Sequence, residues 1–218
     1  MPLIVQHNNS LGSSIYLWRL DEDILFFKAK VDINDAKWAE VITWVEDRRK
    51  EWIAGRYLIQ QYANCSSKAL QIDPYGKPHI STPQHISLSH SGQYVALYIS
   101  NNPCGIDIQV TSPTIRRISH KFMSDGDHNL FSSLQNEERL HVIWSIKEAI
   151  YKAYGKKKLD FKKNININIT DHNLIGKVIK EHIELDYKLD YKIIDQIYLA
   201  TAECQIDPDY RYRILSSR

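Results

Sequence analysis

The segment Asn136–Tyr154 reads as one long helix, and the run of strand-like segments after it limits the fold. Asn136 can cap the helix, Glu137 and Glu138 suit its positive end, and Gly155 stops it. The period-two segments lie at 165–169, in parts of 174–194 and at 197–204. Before the helix, His85–Ser100 predicts a hairpin turning at Ser91-Gly92, and Cys104–Val110 a further strand. Residues 15–30 read as a strand or hairpin pair. Residues 35–63 read as two helices meeting near Asp47, and Asp73-Pro74-Tyr75-Gly76 is turn chemistry. Strands and helices mixed without a βαβ rhythm predict an α+β fold.

The 218 residues suffice for one large domain or two packed halves of about 100 residues each. Hydrophobic residues make up 43%, enough for a sizeable core. A net charge of +2 is too mild for a general nucleic-acid binder. Residues 1–109 hold 10 Lys/Arg against 11 Asp/Glu, and residues 110–218 hold 18 against 15. The second half is thus the expected side for an anionic partner. Cys65, Cys104 and Cys204 form no C-x-x-C pair, which fits free thiols in a reducing cytoplasm. No basic start precedes an apolar run and no stretch nears 18 apolar residues, so neither secretory signal nor membrane span is expected.

Several short segments suit phosphate and metal chemistry. In Gly105-Ile106-Asp107-Ile108-Gln109, strand alternation puts Asp107 and Gln109 on one side and the isoleucines toward the core. Oxygen ligands of this kind suit Mg²⁺. Alone, the segment better fits a strand whose polar face meets solvent, because such alternation is common. On the long helix, Glu148 and Lys152 are i, i+4 neighbours: a surface ion pair, or a second metal carboxylate and proton acceptor beside a phosphate-neutralising lysine. Ser87-Leu88-Ser89-His90-Ser91-Gly92 is either an ordinary turn or an anion contact through Ser89 and His90. Lys77 sits in the rigid Gly76-Lys77-Pro78 turn. Arg48, Arg49 and Arg56 share a helix, with 49 and 56 on one face; these cations could fork phosphates or simply be solvated. Lys156, Lys157, Lys158, Lys162 and Lys163 form a solvated loop or dock an acidic protein. His79, His85 and His90 match no zinc spacing.

In this order, Gly55-Arg56, Gly76-Lys77-Pro78, Ser89-His90-Ser91-Gly92, Gly105-Ile106-Asp107-Ile108 and Trp144-x-x-Lys147-Glu148-Ala149-x-x-Lys152 resemble the Sfp-type 4′-phosphopantetheinyl transferase family. The resemblance spans about residues 45–160 by motif. It implies a pseudo-dimer of two similar α/β halves with coenzyme A in the cleft. The halves are 1–104, with the basic helix and phosphate-contacting hairpin, and 105–218, with the metal site and long helix. It implies Asp107 and Glu148 as Mg²⁺ ligands. Lys77, Ser89 and His90 would contact coenzyme A phosphates, Arg49 or Arg56 the 3′-phosphate, and Lys147 and Lys152 the diphosphate. Family members often carry a third acid where this chain has Gln109, so Gln109 or a water completes the ligand set.

The expected reaction moves phosphopantetheine from coenzyme A to a serine of an acyl or peptidyl carrier protein and releases 3′,5′-ADP. Glu148 is the expected base, with Lys152 and His90 stabilising charge. The expected partner is acidic, with no nucleic acid or membrane partner, and a monomer suffices. The alternative is a non-catalytic coenzyme A or nucleotide-binding module. An RNA- or DNA-binding reading of the lysine run and tyrosines is answered by tyrosine spacing that suits core packing.

Overall fold

The computed structural model describes residues 3–8, 12–156, 158–171 and 173–205. Two compact units divide the chain, Met1–Asn101 and Asn102–Arg218. Every strand pair in both is antiparallel, so the protein is α+β.

The first unit runs β1 (Leu3–Asn8), β2 (Ser14–Arg19), α1 (Ile24–Lys28), α2 (Asp35–Val41) and α3 (Glu46–Tyr62). The short pair β3 (Gln71–Ile72) and β4 (Pro78–His79) comes next, then β5 (His85–Ser91) and β6 (Tyr94–Ser100). Its main sheet has the order β1-β2-β6-β5. The run from Ile24 to Phe27, expected as strand, is helical. Asp23 accepts a hydrogen bond from the Phe26 amide at 2.9 Å, and the cap turns Phe27 into the core. The helix pair α2 and α3 forms as expected, and Asn34 caps α2. The hairpin turns at Gly92-Gln93, one residue beyond the expected position, because Ser91 still pairs with Tyr94 and Gly92 takes φ 55°. Glycine at position 55 lets α3 lie close on β5: a Cβ there would stand 3.3 Å from Leu88.

The second unit runs β7 (Cys104–Val110), α4 (Thr114–Phe122), a 3₁₀ turn at Asp125–Asn129 and α5 (Asn136–Tyr154). Then come β8 (Ile165–Thr170), β9 (Asn173–Lys180), β10 (Ile183–Ile194) and β11 (Ile197–Cys204). Its sheet order is β7-β11-β10-β9-β8, with α5 at the centre of the core. Asn136 is the first helical residue rather than the cap; Gln135 precedes it, and its amide donates to Glu138 Oε2 at 3.2 Å. Gly155 ends α5 in the left-handed region, φ 68°.

Candidate functional site

The closest approach in the second unit is between β7 and α5. A Cβ on Gly105 would collide with the Ala149 carbonyl oxygen, so only glycine fits. On β11, Ala202 pairs with Gly105 and Ala200 with Asp107, and both small residues belong to the cluster around α5. The Gly105–Asp107 face therefore turns to the helix, not to solvent. Ile106 and Ile108 are buried on the opposite face and lie outside that cluster. The isoleucines are thus buried as expected, on the face away from α5.

This approach brings Asp107, Lys152 and Glu148 together. Asp107 is only 6% exposed. Lys152 Nζ donates to Asp107 Oδ1 at 2.8 Å and to the Ile106 carbonyl at 3.0 Å. Glu148, half-buried on the same helix face, has its carboxyl pushed up to about 7. Burial is the larger cause, the Asp107 charge the second, and Lys152 opposes both. The Glu148–Lys152 spacing therefore does more than make a surface pair: both groups close on one strand carboxylate.

The donor set fits a divalent cation. Two carboxylates share a half-buried place in which one discourages the other from ionising, and a dication relieves that conflict. Gln109 is half-buried at the next position of this strand face and donates through Nε2 to the Val110 carbonyl at 3.4 Å. Among the described residues no group of three or more His, Cys, Asp and Glu gathers.

Lys147 stands apart from that group. It is fully buried, and its ammonium donates to Asp127 Oδ2 at 2.6 Å and to the Phe122 and Phe161 carbonyls at 2.8 and 2.9 Å. All three donors are spent inside the unit, so its placement does not fit a diphosphate contact. Asp127 also accepts from the Ser124 amide at 2.7 Å. Asp127 and His141 are absent from the sequence-predicted set. His141, also buried, stacks on Tyr198 and accepts from the Ser112 amide at 3.1 Å. Asp127 is 20 residues from Lys147 and Ser112 is 29 from His141, so no local spacing links these pairs.

In the first unit, Arg56 lies 3.4 Å from the centroid of Trp52, and burial pushes its guanidinium down to about 10. Arg48 lies over Trp44 at 5.0 Å. Arg49 donates to the Ile42 carbonyl at 2.9 Å. His90, 61% exposed by side chain, meets Glu51 of α3 at 3.1 Å, a pair that no sequence spacing suggests. Ser89 is buried, on the strand face opposite Leu88. Lys77 is half-buried, and its amide donates to Asp73 Oδ1 at 2.9 Å, which fixes the turn at Gly76. Asp73 also meets His79 at 3.1 Å. In the lysine run, the Lys162 and Lys163 amides close on Asp160, while Lys157 lies outside the described residues.

Residues 103–203 match the model of the 4′-phosphopantetheinyl transferase superfamily. The chain is 34% identical over 110 residues to 4′-phosphopantetheinyl transferase gsp of Aneurinibacillus migulanus, covering 49% of this chain and 46% of that one. It is 33% identical over 87 residues to 4′-phosphopantetheinyl transferase Sfp of Bacillus subtilis (strain 168), covering 38% and 39%. It is 35% identical over 116 residues to 4′-phosphopantetheinyl transferase AcpT of Salmonella typhi, covering 50% and 60%. The matched segments thus span about half the length of these relatives. The chain is similar to these transferases over part of its length, and the superfamily's sequence pattern falls on residues 103–203, within its second unit. No helix among the described residues is long and apolar enough to cross a membrane.

Proposed function

We propose that the protein transfers the 4′-phosphopantetheine arm of coenzyme A to a serine of an apo carrier protein and releases 3′,5′-ADP. The observation that carries this reading is the grouping of Asp107, Glu148 and Lys152 at the β7–α5 approach, inside the segment that matches the superfamily. Each unit pairs an antiparallel sheet with one long helix, which supports reading 1–104 and 105–218 as the similar halves of a pseudo-dimer.

Asp107 and Glu148 would hold Mg²⁺, with Gln109 or water beside them. When bound, the ion offsets charge on the diphosphate. The serine hydroxyl attacks the phosphorus next to pantetheine, and its proton passes to Glu148, directly or through water. The bond from that phosphorus to the bridging oxygen breaks, and the pair of electrons leaves with 3′,5′-ADP. Lys152 and His90 donate to the phosphoryl oxygens as charge builds. Arg49, Arg56, Lys77 and Ser89 bind coenzyme A phosphates, with Arg56 favoured for the 3′-phosphate because it has no carboxylate partner among the described residues. To Lys147 we assign a structural part in place of the diphosphate contact. Three free, buried cysteines support a cytoplasmic protein. An acidic carrier and a monomeric enzyme complete the reading.

The test mixes protein, coenzyme A, Mg²⁺ and apo carrier and weighs the carrier. The phosphopantetheine mass should appear; no gain with acyl, polyketide and peptidyl carriers refutes the activity. Gln109→Glu should shift the Mg²⁺ dependence of the rate if position 109 supplies a ligand. An unchanged dependence assigns that place to water.

A further inference from the structure

Helix α5 carries four polar side chains on one stripe: His141, Ser145, Glu148 and Lys152, at i, i+4, i+7 and i+11. Glu148 and Lys152 belong to the candidate site. His141 and Ser145 do not, and both are fully buried.

The His141 ring is fixed on two sides. One face stacks on Tyr198, with centroids 4.5 Å apart and planes 11° apart. Its Nε2 accepts from the Ser112 amide at 3.1 Å, so Nε2 carries no proton. Burial pushes the ring's pKa down and favours the neutral form, which then holds its proton on Nδ1. That Nδ1–H is a buried donor with no protein acceptor among the described residues. One turn further along, Ser145 Oγ is also buried and also has no protein partner among them. Helical side chains lean toward the N-terminus, so Ser145 reaches back over the turn of His141.

Left dry, each of these atoms carries its full desolvation cost. Neighbours at i, i+4 stand about 5–6 Å apart at Cβ, a span that one water bridges with ordinary hydrogen bonds. The lining selects the occupant. An apolar molecule would satisfy neither atom. An ion does not fit, because the pair offers one fixed donor, one hydroxyl and no charge. A small neutral molecule that both accepts and donates fits.

We infer that His141 Nδ1 and Ser145 Oγ hold one internal water, which locks the His141 tautomer that grips the Ser112 amide. The site lies outside the transfer chemistry and stands whether or not that activity does.

The experiment uses the full chain with isotope-labelled histidine. Nitrogen–proton correlation spectra read which ring nitrogen of His141 is protonated, and cross-relaxation reads its contact with long-lived water. Nδ1 should carry the proton, Nε2 should be bare, and the Nδ1 proton should contact a slowly exchanging water that Ser145→Ala removes. Urea unfolding adds a double-mutant cycle of Ser145→Ala and His141→Phe, in which the phenyl ring keeps the stack on Tyr198. Ser145→Ala should lower the folding equilibrium constant at least about threefold more in the wild type than in His141→Phe. A proton on Nε2, no long-lived water at Nδ1, or a water that persists in Ser145→Ala overturns the inference. So does an equal effect of Ser145→Ala in both backgrounds. If His141→Phe does not fold, the spectra of the wild type and of Ser145→Ala decide.

Discussion

The two units treat their charges in opposite ways. In the first, the cations of α3 lie over indole rings: Arg48 over Trp44 and Arg56 over Trp52, neither with a carboxylate among the described residues. In the second, α5 pairs its lysines with acids, the buried Lys147 with Asp127 and the half-buried Lys152 with Asp107. A guanidinium on an aromatic face keeps its hydrogen-bond donors for an outside anion. The fully buried Lys147 ammonium has already spent its charge on Asp127, whereas around the half-buried Lys152 two carboxylates, Asp107 and Glu148, leave one in excess. Under the proposed function, the first arrangement suits phosphate and the second suits a metal ion.

The sharpest way to break that contrast is Asp107→Ala. It should abolish transfer, by roughly a thousandfold or more in kcat, judged by carrier mass gain, because it removes a carboxylate and strands Lys152. A non-catalytic coenzyme A binder would keep its affinity in the same variant. Next in size, Gly105→Ala should unfold or strongly destabilise the second unit in urea, since its Cβ meets the Ala149 backbone. Lys147→Met leaves Asp127 buried without its ion partner and should cost about 3–5 kcal/mol in the same assay. A loss near zero would show that the pair is not an anchor.

The pH dependence of the metal-free protein tests the excess of carboxylate. The native Glu148 carboxyl titrates at about 7 against an ordinary 4.5, so the folded state holds a proton that the unfolded state releases. That contribution is full below about pH 4.5 and is lost as pH rises through 7, about 3 kcal/mol in all. Urea midpoints across pH 4.5–8 should fall in the wild type and flatten in Glu148→Gln. The smallest effect on stability is expected from Arg56→Met. Burial disfavours its charge, so the melting temperature should not fall, while coenzyme A should bind roughly tenfold more weakly by calorimetry.

Much of this is legible in the chain. The α5 boundaries, the β5–β6 hairpin pairing, the α2–α3 break and the α+β class come from periodicity and punctuation, which are local. Helix α4 is not among the predicted elements, although Ile115, Ile118 and Phe122 keep a helical spacing; the segment is short and carries little else. Ile24–Phe27 reads as strand because a four-residue apolar run is equally strand and helix until Asp23 is seen to cap it.

The residue types of the candidate site, their order along the chain and the glutamine at position 109 are readable without any structure. Only the tertiary structure decided which lysine serves which carboxylate. Lys147 and Lys152 are five residues apart on one helix, so they point about 140° apart around its axis. That rotation sends one into the core against Asp127 and the other to Asp107. The partners come from segments 20 and 45 residues away, a distance no local spacing can encode.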